Sequence, residues 1–561
     1  MVGKLYVPEM KEYPLAMAAS RFPSRFTGKA DQLVFGSIAT GNSAQPTAGG
    51  MAIKDGSIVA LGSAEDLEGL RGTDTETVEV GDRVVVPGFV EPHMHLWSTV
   101  LVDPYINCSA IENSSFDEVI ERLKAGLQGL GEGEWLRGQL YDPSLFPGEP
   151  DLDRSILDQI STTHPIAVLN ASMHYLYVNS KALELAGLTG ETPDPEGGKY
   201  YRENGELTGV LGEPGAIIPM IGHMPQMDQA QLAQGLLDIL NKAASQGVTT
   251  AREAMTGIVL GMAELPMLHQ INDTSRLPVR VSTAQASLLG IQKWIDAGVT
   301  PNVGDDMVRA VAWKIVSDGS NQGRSGFQRK PYIGTDNCGE ANMTPEELTA
   351  IVREGHEAGW QIMLHANGDA AIDEALGAFE TVLDGTSGLE LRHRIEHCSL
   401  AHPEQITKMA ELGISPSFLM NHLYYWGKAL RDNIVGPEAA ENLDRLGSAV
   451  KNGMRPSLHS DYSVSQIQPL LSARTAVLRE MRDGGEVLNA SEKVDPPAAL
   501  RAITVDAAWQ VHGDDRGSLE VGKKADFAIL SANPWTSDPS TWADIKVHET
   551  RIDGTPAWSA S

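Results

Sequence analysis

Two histidines spaced one residue apart follow an apolar run near the start of this chain. The run at 84–90 leads into His93-Met94-His95. Residues i and i+2 of a β-strand point to the same face, so both imidazoles can bind one metal ion from the end of that strand. A metal-dependent enzyme is the first hypothesis, although half-exposed strand histidines with no ligand would give the same pair.

Four later runs with the character of buried strands also carry a potential metal ligand at or near their ends. The ligands are Lys314, His365, His397 and Asp461. Catalytic groups of a (β/α)8 barrel lie at the C-terminal ends of different strands, where residues far apart in sequence converge. The order His-x-His, Lys, His, His, Asp is therefore a more specific signal than any single member.

The elements that would position these residues follow an alternating pattern. Apolar strand-like runs alternate with helical patterns, as expected for parallel βα units. One helix is marked by Thr344 as N-cap, Pro345 in the first turn and Glu347 completing a capping box. The sequence therefore predicts an α/β fold built on a (β/α)8 TIM-type barrel over residues 86–511.

Segments outside this barrel have their own patterns. Short strand patterns near 31–40, 51–61 and 526–530 predict a small β-sandwich domain built from both chain ends, residues 31–85 and 512–561. Residues 1–30 are predicted to be an N-terminal extension. Residues 100–235 are predicted to contain an insertion over the barrel mouth that caps the substrate, because the connection is too long for a single βα loop.

Composition limits the possible partners and compartments. Asp and Glu number 74 against 44 Lys and Arg, and the net charge of −30 argues against nucleic acid or an anionic membrane as partner. Three scattered cysteines indicate a reducing compartment, and no apolar run approaches a membrane span or a secretion signal. We expect a cytoplasmic homo-oligomer that binds a small-molecule substrate.

Taken together, the motifs resemble the amidohydrolase superfamily and, within it, the branch with N-substituted formamide deformylases, amidohydrolase family 3. The similarity runs from about Asp31 to near Leu530 and covers most of the chain. Besides the ligands it includes Gly247-Val248-Thr249-Thr250, Asp318-Gly319-Ser320, the segments 365–370 and 392–397, and a tail from Gly517 to Asp526.

The resemblance implies a centre with two divalent metal ions. One ion would be held by His93, His95 and Asp461, and the other by His365 and His397, with a carbamylated Lys314 as bridge. An ordinary lysine is cationic and cannot bind a metal, whereas its carbamate is an anion with two oxygens. In a one-metal site the lysine would stay unmodified beside an acid. Zinc is expected, with manganese, iron, cobalt or nickel as alternatives.

The resemblance also implies metal-assisted hydrolysis of the C–N bond of an N-substituted aryl or alkyl amide or formamide. The metal would activate water and polarise the carbonyl. Asp461 would act as general base and pass the proton to the leaving nitrogen. A lactonase or esterase, or a ring deaminase, is the alternative on the same scaffold. A non-enzymatic protein is disfavoured because every ligand position is filled.

Several residues are candidates for substrate binding. In the resemblance, His174 lies near the active site, where it would bind the substrate carbonyl, with helix packing as the alternative. Trp97, Tyr175 and His422, which precedes an aromatic run, could line an apolar pocket, although aromatic residues are also ordinary core residues. Glu91 replaces the aspartate usual before His-x-His, which leaves its contact open.

Overall fold

The structure, a computed structural model, describes residues 26–482 and 484–560. At its centre lies a sheet of eight strands in which every neighbouring pair is parallel and the spatial order follows the chain order. The strands are β1 Phe89–Met94, β2 Val248–Thr256, β3 Arg280–Ala286, β4 Val308–Val316, β5 Gln361–Ala366, β6 Arg394–His397, β7 Ser415–Phe418 and β8 Ser457–Leu458.

Backbone contacts between β1 and the segment after β8 close this sheet. Met94 and Tyr462 form a parallel bridge, and the His95 amide donates to the Tyr462 carbonyl at 2.7 Å. The Asp461 amide donates to the His93 carbonyl at 3.2 Å. The eight strands therefore form a barrel, which confirms the predicted (β/α)8 fold.

Helices follow the barrel strands in the alternation that the sequence predicts. Thr344 caps one of them and Glu347 bonds back to the cap residue, as a capping box requires. No helix within the described part of the chain has the length and apolar character needed to cross a membrane. The helices are Leu96–Val102 and Gln229–Ser245 after β1, Glu264–Ser275 after β2, Ile291–Asp296 after β3, Pro345–Glu357 after β4, Asp369–Leu383 after β5, Pro403–Leu412 after β6, Leu446–Lys451 after β7, and Pro469–Leu478, Pro496–Ala502 and Val505–Gln510 after β8.

Both ends of the described chain meet in a seven-stranded mixed sheet. The buried Arg280 at the start of β3 pairs with Asp526 of this sheet at 2.7 Å and with Asp553 at 2.6 Å. The sheet thus contacts the N-terminal end of a barrel strand, opposite the end where barrel enzymes place catalytic groups. Of the predicted extension 1–30, residues 1–25 lie outside the described residues. In spatial order the strands are Thr555–Ser559, Val547–Ile552, Phe527–Leu530, Glu76–Pro87, Gln32–Ala39, Thr47–Lys54 and Ser57–Gly62.

A third sheet, of six strands, lies within the segment where the sequence predicts an insertion. It contacts the loops at the C-terminal ends of the barrel strands. Trp426, after β7, donates to Asp142 at 2.7 Å, and the Tyr175 hydroxyl lies 3.5 Å from the carbonyl of Gly323, after β4. This sheet therefore stands at the barrel mouth. Its strands in spatial order are Lys199–Glu203, Glu206–Gly212, Tyr175–Val178, Ile166–Asn170, Leu136–Tyr141 and Ile106–Asn107.

Candidate metal centre

The ends of β1 and β8 bring His93, His95 and Asp461 together. His93 Nε2 and His95 Nε2 each lie 3.2 Å from Asp461 Oδ1. Ligand atoms of a tetrahedral metal ion lie about 3.4 Å from one another when each metal–ligand distance is about 2.1 Å. The three side chains are therefore spaced to hold one metal ion between them.

Several polar atoms at this position lack a hydrogen bond to any described residue, although they are shielded from solvent. They are His93 Nε2, His397 Nδ1 and Asp461 Oδ1. A buried polar atom without a partner lowers the free energy of unfolding, so native structures rarely leave several of them together. Imidazole nitrogens and a carboxylate oxygen share one preferred partner, a divalent cation. The residues present thus fit a divalent metal.

Glu396 binds His93 from the side opposite Asp461. Glu396 Oε2 lies 2.5 Å from His93 Nδ1, and Arg394 Nη2 donates to the same oxygen at 2.7 Å. Burial alone would raise the pKa of Glu396, but Arg394 and His93 hold it well below its ordinary value. A carboxylate on the second ring nitrogen is typical of metal-binding histidines because it fixes the tautomer and the ring orientation. Glu396 therefore directs His93 Nε2 towards Asp461.

The histidines that end β5 and β6 are neighbours, but they differ in their contacts. The rings of His365 and His397 meet edge to face with centres 4.6 Å apart. His397 Nδ1 lies 3.9 Å from Asp461 Oδ2. His365 Nε2 lies 3.2 Å from the Gly319 carbonyl and 3.4 Å from Asp318 Oδ1. The structure thus brings His397 to the Asp461 carboxylate, whereas His365 faces the loop after β4.

Lys314 lies on β4 within the barrel and is buried. Burial lowers the pKa of its amine to about 8, while Glu396 and Asp461 act in the opposite direction. A buried amine with a lowered pKa is neutral in a larger fraction of molecules, and only the neutral amine reacts with carbon dioxide. Its carbamylation, and with it a second metal ion, stays a prediction.

His459, which immediately follows β8, was not selected from the sequence. Its ring stacks on His93 with centres 4.6 Å apart, and both of its nitrogens are buried without a hydrogen bond to the described chain. With His93 and Glu396 it forms a second group of possible ligands. Because Glu396 occupies His93 Nδ1, the remaining nitrogen of His93 favours the group that contains Asp461. The signal was present, since His459 stands two residues before Asp461 in the short run that follows β8.

Two buried carboxylates fix the backbone beside the ligands, and neither contact was predicted. Glu91 Oε1 accepts a hydrogen bond from the Ser460 amide at 3.0 Å. The longer side chain, which replaces the aspartate usual at this position, therefore contacts the backbone beside Asp461. Burial raises the pKa of Glu91 to about 8. Glu253 on β2 accepts from the amides of Leu96 and Trp97, immediately after His95. These bonds tie the two ligand-bearing loops to the barrel.

Two of the predicted substrate-binding residues lie on the insertion. His174 is partly exposed and its Nδ1 lies 2.8 Å from Glu213 Oε2. Glu213 itself, with φ of +64°, and Met173, which precedes His174 and has φ of +61°, adopt left-handed backbone conformations. Strained backbone in such positions is common at functional sites. Tyr175 lines a cavity between the insertion and the barrel.

The other two predicted substrate-binding residues lie in the barrel. His422 is buried beside the centre, with its ring 6.3 Å from that of His397. Burial lowers the pKa of His422 to about 4, and a π-helical segment begins at this residue. Trp97 is 0 % exposed and packs in the apolar core between the barrel and its helices. Trp97 therefore lies in the core of the protein, and its contact with the substrate stays a prediction.

Comparisons with known proteins identify the family of this chain. Residues 76–557 match the model of a family described as the amidohydrolase family. The chain is 30 % identical over 521 residues to Protein LONG AFTER FAR-RED 3 of Arabidopsis thaliana, which covers 90 % of this chain and 88 % of that protein. It is 27 % identical over 516 residues to the N-substituted formamide deformylase of Arthrobacter pascens, covering 90 % and 93 % of the two chains.

A solved structure supports the fold. The crystal structure of an uncharacterized metal-dependent hydrolase from Pyrococcus horikoshii superposes with a TM-score of 0.71 at 23 % identity. The superposition covers 91 % of this chain and 99 % of that one. At this identity the likeness concerns the fold, whereas the family match spans most of the sequence. This chain belongs to the amidohydrolase family.

Proposed function

We propose that this protein is a metal-dependent hydrolase that cleaves the C–N bond of an N-substituted aryl or alkyl amide or formamide. One observation carries the proposal: two imidazole nitrogens converge at 3.2 Å on Asp461 Oδ1 at the mouth of a closed barrel. The similarity to a protein named N-substituted formamide deformylase supports the choice of bond.

When bound at this centre, a divalent metal such as zinc would supply an acidified water and polarise the scissile carbonyl. Asp461 Oδ2 takes no part in the two 3.2 Å contacts, so it is the oxygen that can accept a proton from the attacking water. The same oxygen can return that proton to the nitrogen of the leaving amine, which cannot depart as an anion. Asp461 therefore has the role of general base and then general acid.

His174 is our candidate for binding the substrate carbonyl. Its Nδ1 is held by Glu213 at 2.8 Å, so Nε2 is the ring nitrogen that can meet a substrate. When His174 is protonated, Glu213 balances its charge and Nε2 donates a hydrogen bond. A carbonyl oxygen that gains negative charge during attack by water would strengthen this bond.

The second half of the proposed centre consists of His365, His397 and a carbamylated Lys314. Burial of Lys314 within the barrel and the edge contact between the two imidazoles support it. Zinc content after reconstitution with and without bicarbonate, in the wild type and in Lys314→Met, tests this part. Two ions per chain that fall to one in the variant would support the bridge, and equal content would contradict it. Cytoplasmic location and homo-oligomerisation likewise stay proposals.

The experiment that tests the function measures primary-amine release from a panel of N-acyl and N-formyl aryl and alkyl amines. Zinc-reconstituted protein is compared with a chelated sample and with Asp461→Asn. Metal-dependent release that is lost in the variant would establish an amide hydrolase. Cleavage of a lactone or release of ammonia from a ring, without amine release from any amide, would replace the proposal with the lactonase or deaminase alternative.

A further inference from the structure

A cavity of about 480 Å³ lies between the six-stranded sheet and the loops after β4 and β7. Its volume is within the range of small-molecule sites, roughly 300–1,000 Å³. Strand residues Tyr175 and Tyr177 form part of one wall, and Gln322 and Arg324 form part of the other. Asp142 and Asp151 also line it. None of the reaction steps described above uses this space.

The cavity and the metal centre share the same two barrel loops. Gln322 lies in the loop after β4, three residues beyond Gly319, and the Gly319 carbonyl lies 3.2 Å from His365 Nε2. On the other side, Asp142 accepts a hydrogen bond from Trp426, and the Trp426 ring meets that of His422 with centres 6.0 Å apart. A substrate held at the metal centre would therefore have this cavity beside it, on the side of the insertion.

The lining offers mainly hydrogen-bond acceptors. Asp142 is buried and accepts hydrogen bonds from Ser144 and Trp426, whereas Asp151 is exposed. Gln322 Oε1 is a shielded acceptor that finds no donor among the described residues. Among the described residues that line the cavity, Arg324 is the one cation, and it donates to the Asn433 carbonyl at 2.9 Å. The Asp151 carboxylate and the unpaired Gln322 oxygen are left for a ligand, since Asp142 and Arg324 already have protein partners. They favour a ligand that donates hydrogen bonds and carries positive charge.

Two phenol rings in the cavity wall favour a flat, aromatic ligand. Tyr175 and Tyr177 stand two residues apart on one strand, so their rings lie on the same face of the sheet. Aromatic faces attract flat rings and also attract ammonium groups through the ring quadrupole. An aromatic ligand with an ammonium group satisfies the rings, the Asp151 carboxylate and the Gln322 oxygen.

We propose that this cavity binds the amine part of the substrate and selects amides whose leaving amine carries an aromatic ring and a second, positively charged amino group. The inference rests on the proposed amide hydrolysis, because the part of the substrate placed in the cavity is the one that this reaction releases as an amine. The acyl part would then lie on the far side of the metal centre.

Binding of two product amines tests the inference without any catalysis. Isothermal titration compares 4-(aminomethyl)benzylamine with benzylamine, on both zinc-loaded and chelated protein. We expect the diamine to bind at least about tenfold more tightly in both samples, since a charged hydrogen bond to the shielded Gln322 Oε1 is worth about that factor. A preference seen only with zinc would place the amine on the metal and contradict the inference.

Substitutions in the cavity test whether the preference for the diamine arises there. Asp151→Asn and Gln322→Leu should each lower the affinity for the diamine and leave that for benzylamine unchanged. Glu191→Gln, at an exposed position of the same insertion, removes a charge away from the cavity lining and should change neither. Equal binding of the two amines, or a diamine affinity that neither cavity variant changes, would overturn the inference.

Turnover separates this inference from the proposed function. N-formylbenzylamine is compared with its 4-aminomethyl derivative, with kcat/KM as the readout. Selective diamine binding without turnover of any amide would contradict the proposed function and leave a diamine site in the cavity. Turnover of both amides at equal kcat/KM would contradict the inference and leave the amide hydrolase intact.

Discussion

Glu396 Oε2 and His93 Nδ1 lie 2.5 Å apart on two barrel strands, although the residues are 303 positions apart in the chain. The contact fixes which nitrogen of His93 faces Asp461. It is itself fixed by Arg394, which donates to the same oxygen at 2.7 Å. The centre is thus positioned by a buried chain of polar contacts in which each member holds the next.

Glu396→Gln should weaken metal binding about 10- to 100-fold, the usual effect of losing a carboxylate behind a metal-binding histidine. The side chain keeps its shape but loses the charge that holds His93. Zinc affinity measured by competition with a chromophoric chelator checks this, with circular dichroism to show that the fold persists. An unchanged affinity in a folded variant would remove Glu396 from its positioning role.

Asp461→Asn should keep the fold and reduce amine release by more than about a thousandfold, because the amide oxygen cannot accept and return the proton. Kinetics with a preferred amide, together with zinc content, make the test. His95→Asn is the matched comparison, since it removes a ligand and leaves the general base. A turnover of Asp461→Asn near that of the wild type would refute the assignment.

His459→Phe should retain zinc, because the substitution preserves the stacking on His93 and removes only nitrogens that the Asp461 group does not need. Activity should fall by less than about tenfold. Metal content per chain is the measurement, compared with His95→Asn, which we expect to lose zinc. Loss of zinc from a folded His459→Phe variant would instead count His459 among the ligands.

Chelation of the metal should lower the Tm. Buried atoms such as His93 Nε2 and Asp461 Oδ1, which make no well-aligned hydrogen bond within the chain, gain a metal partner when the ion is bound. An ion at a thousandfold excess over its Kd adds about 4 kcal/mol to the free energy of unfolding. Thermal unfolding with and without zinc checks this, and calcium, which prefers oxygen ligands, serves as control. The same Tm with and without zinc would argue against a metal at this position.

Acid should destabilise the protein partly through His393, which lies at the base of β6. Burial, with His356 beside it, lowers the pKa of His393 from 6.5 to about 3. As the pH falls, His393 therefore becomes protonated near pH 6.5 in the unfolded chain but only near pH 3 in the folded chain. Between these pH values protonation favours the unfolded chain, so the free energy of unfolding falls as the pH falls.

His393→Asn isolates this contribution. Asparagine keeps an acceptor for the Ile362 amide, which donates to His393 Nδ1 at 2.9 Å. Between pH 7 and pH 5, the wild type should lose about 2 kcal/mol more of its free energy of unfolding than the variant. Urea unfolding at the two pH values measures the difference. Equal losses in both proteins would assign the acid sensitivity to other groups.

The sequence by itself determined the fold class and most of the groups at the centre. Buried parallel strands alternate with amphipathic helices, and strand ends in such a barrel converge, so His93, His95, His397 and Asp461 could be placed together from local patterns. The start of the helix at Thr344 followed from capping chemistry alone. Such signals are local because they depend on residues two to four positions apart.

The pairings across the barrel were decided by the tertiary structure. The contact of Glu396 with His93 joins strands that are not neighbours, and that of Glu91 with the Ser460 amide joins the first strand to the segment after the last. Both depend on how the strands are staggered when the barrel closes. The burial of Trp97 depends on which way its helix turns against the next one. The acceptor-lined cavity exists only because the insertion folds back over the loops after β4 and β7. Distances between residues hundreds of positions apart are set by closure and packing of the whole chain, which no local pattern contains.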